Sequence, residues 1–507
     1  MTAFTSQNCS NSRDLQQNSQ FGTESRSRVT AEGVRSMQVE AKSPVTLDEI
    51  LAARDKKVAR QAELLATYGG TLISFGLNIP GPHKVSVAFA WAFEQEKQQV
   101  KQAIQNSGWR ILFQEARSPR TGYEGFISLD AESLAVKHAL VAIEEGTALG
   151  RLFDIDVLRA DGTKVSREDL GQPGRKCLLC DQPAFVCARS RAHSVDELLT
   201  HIRRTIEEAR LAQALRFALV EELDTTPKPG LVDQHDNGAH TDMDHTLFLR
   251  SIDAVVPHLT RMGMAGYDWQ GDLSGLFPVI QRIGVEAEQA MFCATGGVNT
   301  HKGAIFTLGI LAASVGYLDG HPETGAIDGP IQPAHVSQTA TLICRDAMAA
   351  QFSAMDEKKR QLDAGADIPL THGERIYCEL GIRGIREEAA RGFPTVFTVA
   401  LPRLQGAGAH DQDTFNTAKL TALLAVMSQL DDSNVIARAN MSGLTWVKQT
   451  SQTMLSQLEN PESPDLIPQL SRLNALFIQR NISPGGAADL LGAALFIHAL
   501  FQSGGTE

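Results

Sequence analysis

Near residue 195 the period of the hydrophobic pattern changes, and that change divides the chain into two differently built parts. Before it, apolar runs of strand length (TLISFGLNI, WRILFQEA, GFISLDA, RLFDIDVL) alternate with segments of helical spacing such as SPVTLDEILAARDKKVARQAELL and ESLAVKHALVAIEE. This alternation predicts an α/β layer over residues 47 to about 190. After it, strand-like stretches almost vanish and Ala/Leu-rich segments alternate with Gly/Pro loops, which predicts an all-α part over roughly residues 205–507. The junction, HSVDELLTHIRRTIEEARLAQALRFALVEEL, opens with Ser194 three residues before Glu197. That is the spacing of a capping box, in which each residue's side chain satisfies the other's free backbone N–H, so a helix rather than a flexible linker is expected to join the parts.

A chain of 507 residues exceeds what one hydrophobic core serves, in keeping with two domains. Residues 1–45 are rich in Ser, Gln, Asn and Arg, lack aliphatic periodicity, and are expected to form a disordered extension. The expected division is therefore 1–45, 46–200 and 201–507. With 43% hydrophobic and 21% charged residues the chain reads as an ordinary globular protein. A net charge of -12 argues against a general nucleic-acid binder, because backbone affinity needs a surplus of Lys and Arg. No apolar run approaches the ~18 residues of a membrane span, and the N-terminus lacks the pattern of a signal peptide. The expected place is the cytoplasm, without membrane association. Seven cysteines make no even disulfide framework there, so reduced thiols are expected.

Three constellations in the first part carry chemistry. In GRLFDIDVL, alternation puts Asp154 and Asp156 on one face of a strand while Phe153, Ile155 and Val157 face the core. Two such carboxylates can ligate Mg²⁺ beside a phosphate, and Arg151 just before them suits phosphate approach. The same pattern also fits a half-buried strand with a solvated acidic face. The turn in LNIPGPHK delivers Lys84, either to a phosphate or simply to solvent, and Glu124 in TGYEGF offers a further carboxylate. In RKCLLCDQPAFVCARSRAHS, Cys177, Cys180, Cys187 and His193 have the side-chain types of a closed structural Zn²⁺ site, although the inner spacing is short. Arg175, Arg189 and Arg191 around them would suit a phosphate pocket with or without metal.

In the second part, TPKPGLVDQHDNGAHTDMD places Lys228, Asp233, Asp242 and Asp244 in a Pro/Gly-broken loop. Asp242 and Asp244 would point about 200° apart on a helix, so they share a metal only if the loop persists through them. ATGGVNTHKGAIF sets Asn299, His301 and Lys302 at a helix start, and GERIYCELGIRGIREEAARGFP adds Glu374, Arg375, Arg383 and Arg391. NISPGGAADLLGAALFI reads with Ser483 as N-cap, and with Gly485 and Gly486 opening the helix start to a ligand. Together these starts make a cradle for a polyphosphate with Mg²⁺; taken singly, each also fits ordinary capping or a solvated face.

Five blocks in order, TPKPGLVDQHDNGAHTDMDH, ATGGVNTHKGAIFTLG, GERIYCELGIRGIREEAARGFP, DDSNVIARAN and SPGGAADLL, resemble triphosphoribosyl-dephospho-CoA synthase over about 300 residues. Residues 47 to about 200 resemble holo-citrate lyase synthase through LNIPGPHK, TGYEGF, GRLFDIDVL and the cysteine-bearing block. The order of the two resemblances implies a bifunctional maturation factor. In the C-terminal half the 2'-hydroxyl of dephospho-CoA would attack the anomeric carbon of ATP and expel adenine. In the N-terminal half a serine of the citrate lyase acyl carrier protein (gamma subunit) would attack the resulting triphosphate and release pyrophosphate.

The resemblance implies phosphate roles for Lys228, Lys302, Arg375, Arg383 and Arg391, and base, metal or cation-stabilising roles among Asp233, Asp242 and Glu374. The DID pair is also similar to the metal motif of nucleotidyltransferase folds, without that motif's glycine-serine part. Other readings are a malonate decarboxylase maturation factor, a non-catalytic carrier-protein adaptor, and an ADP-ribose hydrolase, which leaves the first part unexplained.

Overall fold

The computed structural model describes residues 44–321, 331–405, 411–458 and 465–501; apart from Pro44 and Val45, the expected extension over residues 1–45 lies outside them. Contacts separate the described chain into two compact units that divide between Ala209 and Arg210.

The first unit opens with α1 (Leu47–Tyr68), whose start is closed by a Thr46/Glu49 capping box. There follow β1 (Thr71–Leu77), α2 (Val87–Asn106), β2 (Arg110–Arg117), β3 (Glu124–Asp130), α3 (Ser133–Gly146), β4 (Phe153–Leu158), β5 (Lys164–Val165) and α4 (Ala184–Ser190). The strands form one sheet in the order β2-β3-β1-β4-β5. Every pairing in it is antiparallel, so the expected α/β layer is instead an antiparallel sheet faced by helices. The segments were legible, but alternation of helices and strands does not by itself fix strand direction. One face carries the apolar residues of α2 and α3, with Phe89, Phe93, Val100, Val136 and Leu140 against Ile73, Phe75, Ile127 and Ile155. On the other face Leu64 and Leu65 of α1 pack on Leu72 and Phe126.

The helix α5 (Val195–Asp224) runs unbroken through the division between the units. Its capping box is present: the Ser194 N–H donates to Glu197 Oε2 at 2.8 Å and the Glu197 N–H to Ser194 Oγ at 3.2 Å.

Every other element described in the second unit is helical. They run α6 (His245–Tyr267), α7 (Phe277–Thr295), α8 (Lys302–Gly320), α9 (Pro333–Asp363), α10 (His372–Leu380), α11 (Ile385–Ala390) and α12 (Leu401–Leu404). Then come α13 (Gln412–Gln429), α14 (Ser433–Leu458), α15 (Leu466–Gln479) and α16 (Gly485–Phe501). Asn440 breaks α14 with φ 56° and ψ -167°.

At its centre α6 and α8 touch backbone to backbone. A Cβ on Gly266 would stand 2.1 Å from the Ala313 carbonyl oxygen, and one on Gly316 2.0 Å from that of Gly263, so larger residues there would force the pair apart. Both α8 and α16 are apolar nearly all round, as helices enclosed by others must be. The expectation that no apolar run approaches a membrane span is corrected at α8, which by length and composition is able to cross one. Here most of it is buried among the other helices of its unit, which is the other setting that selects such a composition.

Two candidate functional sites

Strand β4 alternates as expected: Phe153, Ile155 and Val157 are at most 1% exposed, while Asp154 and Asp156 project from the opposite face. The sheet register builds the rest of this site. Asp154 lies opposite Gly76 on β1, and Gly76 opposite Glu124 on β3. Two strand spacings, about 9–10 Å, therefore separate the two acidic residues, with no β1 side chain between them, and the Lys57 charge of α1 acts on both. Gly76 is obligatory there, since a Cβ would stand 2.4 Å from the Tyr123 carbonyl oxygen.

Asp154 reaches solvent, yet the surrounding protein, and after it the Asp156 charge, pushes its carboxyl above the ordinary range. Burial likewise raises Glu124. Asp156 pairs with Lys164 at 2.5 Å.

Between the two aspartates the strand is pinned from its side. The Ile155 N–H donates to Glu144 Oε1 at 3.2 Å, and its carbonyl accepts from Lys137 Nζ at 2.8 Å. Lys137 is buried, which pushes its ammonium down to about 8. Glu144 is held in turn by Arg167, at 2.6 Å, and by Arg175. Glu96 of α2 is wholly buried, and burial, then Asp154, push it well above the ordinary range against a lesser opposing effect of the Gly76 N–H. Of the phosphate candidates, Lys84 donates to the Ile79 carbonyl of its own turn, and Arg151 to the Lys176 carbonyl at 2.8 Å.

The second unit's loop between α5 and α6 is organised by Asp233. Its Oδ2 accepts from Thr226 Oγ1 at 2.9 Å and the Lys228 N–H at 3.0 Å, and its Oδ1 from the N–H groups of His235 at 2.8 Å and Asp236 at 3.1 Å. Asp236 accepts from Asn474 Nδ2, whose Oδ1 accepts from the Gly230 N–H, tying the loop to α15. His240 contacts Ser483 Oγ at 2.8 Å and Arg438 of α14 at 3.2 Å. Asp242 is exposed, 3.9 Å from His240. Asp244 caps α6, accepting from the Leu247 N–H at 2.7 Å, so both aspartates precede the helix and the loop does persist through them.

Beneath the loop lies a buried charged cluster. Lys228 is 1% exposed and bonds the Glu222 carboxylate at 2.6 Å and the Glu222 carbonyl at 2.7 Å. His301 is buried beside it, with Nδ1 on Ser251 Oγ at 2.7 Å and Nε2 unpartnered; burial, then the Lys228 charge, push its imidazole down to about 3. Asp489 of α16 presses on the start of α8 so closely that a Cβ on Gly303 would stand 1.9 Å from its Oδ2. Although half-buried by surface, Asp489 is pushed well above the carboxylate range by desolvation, then by Glu222 and Asp432.

Asp432 spans two helix starts, accepting from the Asn434 N–H at 2.8 Å and the Ala487 N–H at 3.0 Å. This corrects the N-cap reading of Ser483: the hydroxyl is with His240, and Asp432 serves the start of α16. Gly486 leaves room for that carboxylate and Gly485 for Asn434.

Replacing Lys228 by Met is expected to cost the second unit about 3–5 kcal/mol, because it strands the buried Glu222 charge. The loss would be read as a lower urea midpoint, and an unchanged midpoint would remove the pair from the unit's stability.

Other candidates lie elsewhere. Asn299 accepts from the Lys302 N–H at 3.2 Å, and Lys302 pairs with Glu288 at 2.8 Å. Glu374 forms a capping box with Thr371 and pairs with Lys358 at 2.7 Å, an arrangement that pulls it down to about 2. Arg375, Arg383 and Arg391 are exposed, Arg383 over the Phe352 ring at 4.4 Å. Among the described residues no hydrogen bond or ion pair joins these four to the loop.

The buried acids Glu96, Glu222 and Asp432 and the half-buried Asp489 escaped the sequence reading. Two carried a signal: Glu96 falls in the apolar stripe Phe89, Phe93, Val100 of α2, and Asp489 interrupts an otherwise apolar helix.

Residues 208–507 match the family model described as CitG, ATP:dephospho-CoA triphosphoribosyl transferase, and residues 45–209 the one described as CitX, apo-citrate lyase phosphoribosyl-dephospho-CoA transferase. The chain is 31% identical over 463 residues to "Protein CitXG" of Haemophilus influenzae, covering 90% of this chain and 96% of the relative. It is 31% identical over 477 residues to "Protein CitXG" of Leuconostoc mesenteroides subsp. cremoris, covering 90% and 98%. A "Probable 2-(5''-triphosphoribosyl)-3'-dephosphocoenzyme-A synthase" of Vibrio cholerae serotype O1 is 38% identical over 301 residues, 59% of this chain and 91% of the relative.

Proposed function

The chain belongs to the family of bifunctional citrate lyase maturation proteins, and from that premise we propose how its residues divide the work. It is a transferase with two reactions in the biosynthesis of the citrate lyase prosthetic group. The C-terminal half makes 2'-(5''-triphosphoribosyl)-3'-dephospho-CoA and adenine from ATP and 3'-dephospho-CoA. The N-terminal half passes the product to a serine of the citrate lyase acyl carrier protein and releases pyrophosphate. A cytoplasmic place belongs to the same proposal.

The observation that carries the division is that each unit has its own carboxylate centre: Asp154, Asp156 and Glu124 around the gap at Gly76 in one, and Asp489, Glu222 and Asp432 beneath the Lys228 loop in the other. The hard oxygen donors of Asp154 and Asp156 fit Mg²⁺, which when bound neutralises phosphate charge and stabilises the leaving pyrophosphate. Around it, Lys137 and Glu144 hold the strand between the aspartates, and Lys164 sets Asp156. A nucleotidyltransferase-like ancestry of this unit is supported by its paired strand carboxylates alone.

In the other unit, loss of adenine through an oxocarbenium-like state requires a proton for the leaving base and negative charge beside the sugar. Asp489, whose carboxyl desolvation, then Glu222 and Asp432, push well above the usual range, is the proton donor in this reading. Asp233 holds the loop, Asp242 and Asp244 are the Mg²⁺ candidates, and Lys302, next to the Gly303 that meets Asp489, is the triphosphate candidate at this site.

The test is purified protein with ATP, dephospho-CoA, Mg²⁺ and apo acyl carrier protein. Adenine release and a phosphoribosyl-dephospho-CoA mass on the carrier are expected together. Modification of a malonate decarboxylase carrier alone would move the substrate to that system, and absence of both products would leave a non-catalytic adaptor.

A further inference from the structure

We propose that Cys177, Cys180, Cys187 and His193 hold a structural Zn²⁺ that fastens the segment bearing Arg175 and Lys176 against strand β4. The four ligand atoms lie within 4.8 Å of one another. Cys180 Sγ stands 3.5 Å from Cys187 Sγ and 3.3 Å from His193 Nε2. Tetrahedral zinc with ordinary bond lengths sets such pairs about 3.8 Å and 3.6 Å apart, so these two pairs are within a few tenths of an ångström of metal geometry. Three thiolates and an imidazole, with no open carboxylate position, are a closed set of soft and borderline donors, the kind that selects zinc over Mg²⁺.

The backbone is shaped to bring them together. Cys177 and Cys180 sit in a turn closed by the Cys177 N–H to the Gln182 carbonyl at 2.7 Å and the Ala184 N–H to the Arg175 carbonyl at 2.8 Å. Seven-residue α4 then presents Cys187, and Arg191, at φ 50°, turns the chain back so that His193 reaches the sulfurs.

Leu178 packs on the core and Arg175 pairs with Glu144, but α4 itself has little apolar anchorage. Phe185 and Val186 of α4 are 61% and 39% exposed, and a helix that short does not persist on its own propensity. Metal ligation supplies the missing folding energy in segments of this kind.

The consequence lies at β4. Arg175 pairs with Glu144, which accepts from the Ile155 N–H between the two aspartates, and Arg151 donates to the Lys176 carbonyl. Zinc thus acts on the transfer site by positioning and takes no part in its chemistry.

The experiment measures metal content of the full chain purified without chelator, alongside C177S/C180S and a cobalt-loaded sample. One zinc per chain, a thiolate-to-cobalt charge-transfer band, and thiols that react much faster after chelation are expected. C177S/C180S should lose the metal and at least tenfold in carrier modification while releasing adenine at the wild-type rate, which shows that the C-terminal unit is intact, and an unchanged circular dichroism spectrum shows that the N-terminal unit still folds. Zinc-free protein whose thiols react equally with and without chelator overturns the site, as does a mapped Cys180–Cys187 disulfide. Zinc bound with carrier modification unchanged in C177S/C180S overturns its link to β4.

Discussion

Replacing Asp154 by Asn is expected to abolish modification of the acyl carrier protein, by on the order of 10³-fold, while adenine release proceeds at the wild-type rate. Removing one preorganised group from a phosphoryl-transfer centre costs about that much. Asn keeps the size of the side chain and the register of Asp154 with Gly76, so the sheet has no reason to change. The native carboxyl is raised by its surroundings, so its contribution to stability is complete below the ordinary carboxylate value and is lost as pH rises through the raised one. At neutral pH the variant should therefore unfold no more easily than the native chain. The measurement is the intact mass of the carrier over time with the triphosphoribosyl intermediate supplied, beside an adenine assay. Wild-type carrier modification by this variant would sink the role given to Asp154, and a fall in both activities would show damage beyond one site.

Asp489→Asn is expected to do the reverse, cutting adenine release by about 10²–10⁴-fold, the range for a positioned general acid. Carrier modification with supplied intermediate should remain. The pH profile separates this role from mere packing. A carboxyl raised by desolvation, Glu222 and Asp432 is protonated at low pH, so native adenine release should fall as pH rises through the raised value, and the variant should lose that limb. Stability carries the same sign: the native carboxyl favours the fold below its ordinary value and disfavours it above the raised one, so the variant should gain relative stability in alkali. Retention of the native pH limb in Asp489→Asn would refute the assignment.

Much of this was legible in the chain. The strand carrying Asp154 and Asp156, the capping box at Ser194 and the helix start at Lys302 follow from local periodicity and capping, which depend on residues a few positions apart. The Cys/His cluster was likewise written in its spacing, and the structure brings all four side chains together. Other side chains proved to be engaged by partners that spacing alone did not reveal. Ser483 looked like an N-cap until Asp432, fifty-five residues from Ala487, took the helix start. Glu374 is paired with Lys358 and accepts from Thr371 in its capping box. Both oxygens of Asp233 accept hydrogen bonds within the loop.

What the sequence alone determined is the order of elements, the change of build near residue 195 and, through five ordered motif blocks, the family. Hydrophobic period and turn chemistry are local, and motifs survive reading in one dimension. Tertiary structure alone decided that the sheet is antiparallel, that Gly76 leaves a gap between Glu124 and Asp154, and that Asp489, Glu222 and Asp432 crowd together. The first two arise from strand pairing between residues tens of positions apart and the third from packing between distant helices, and only the folded chain sets them.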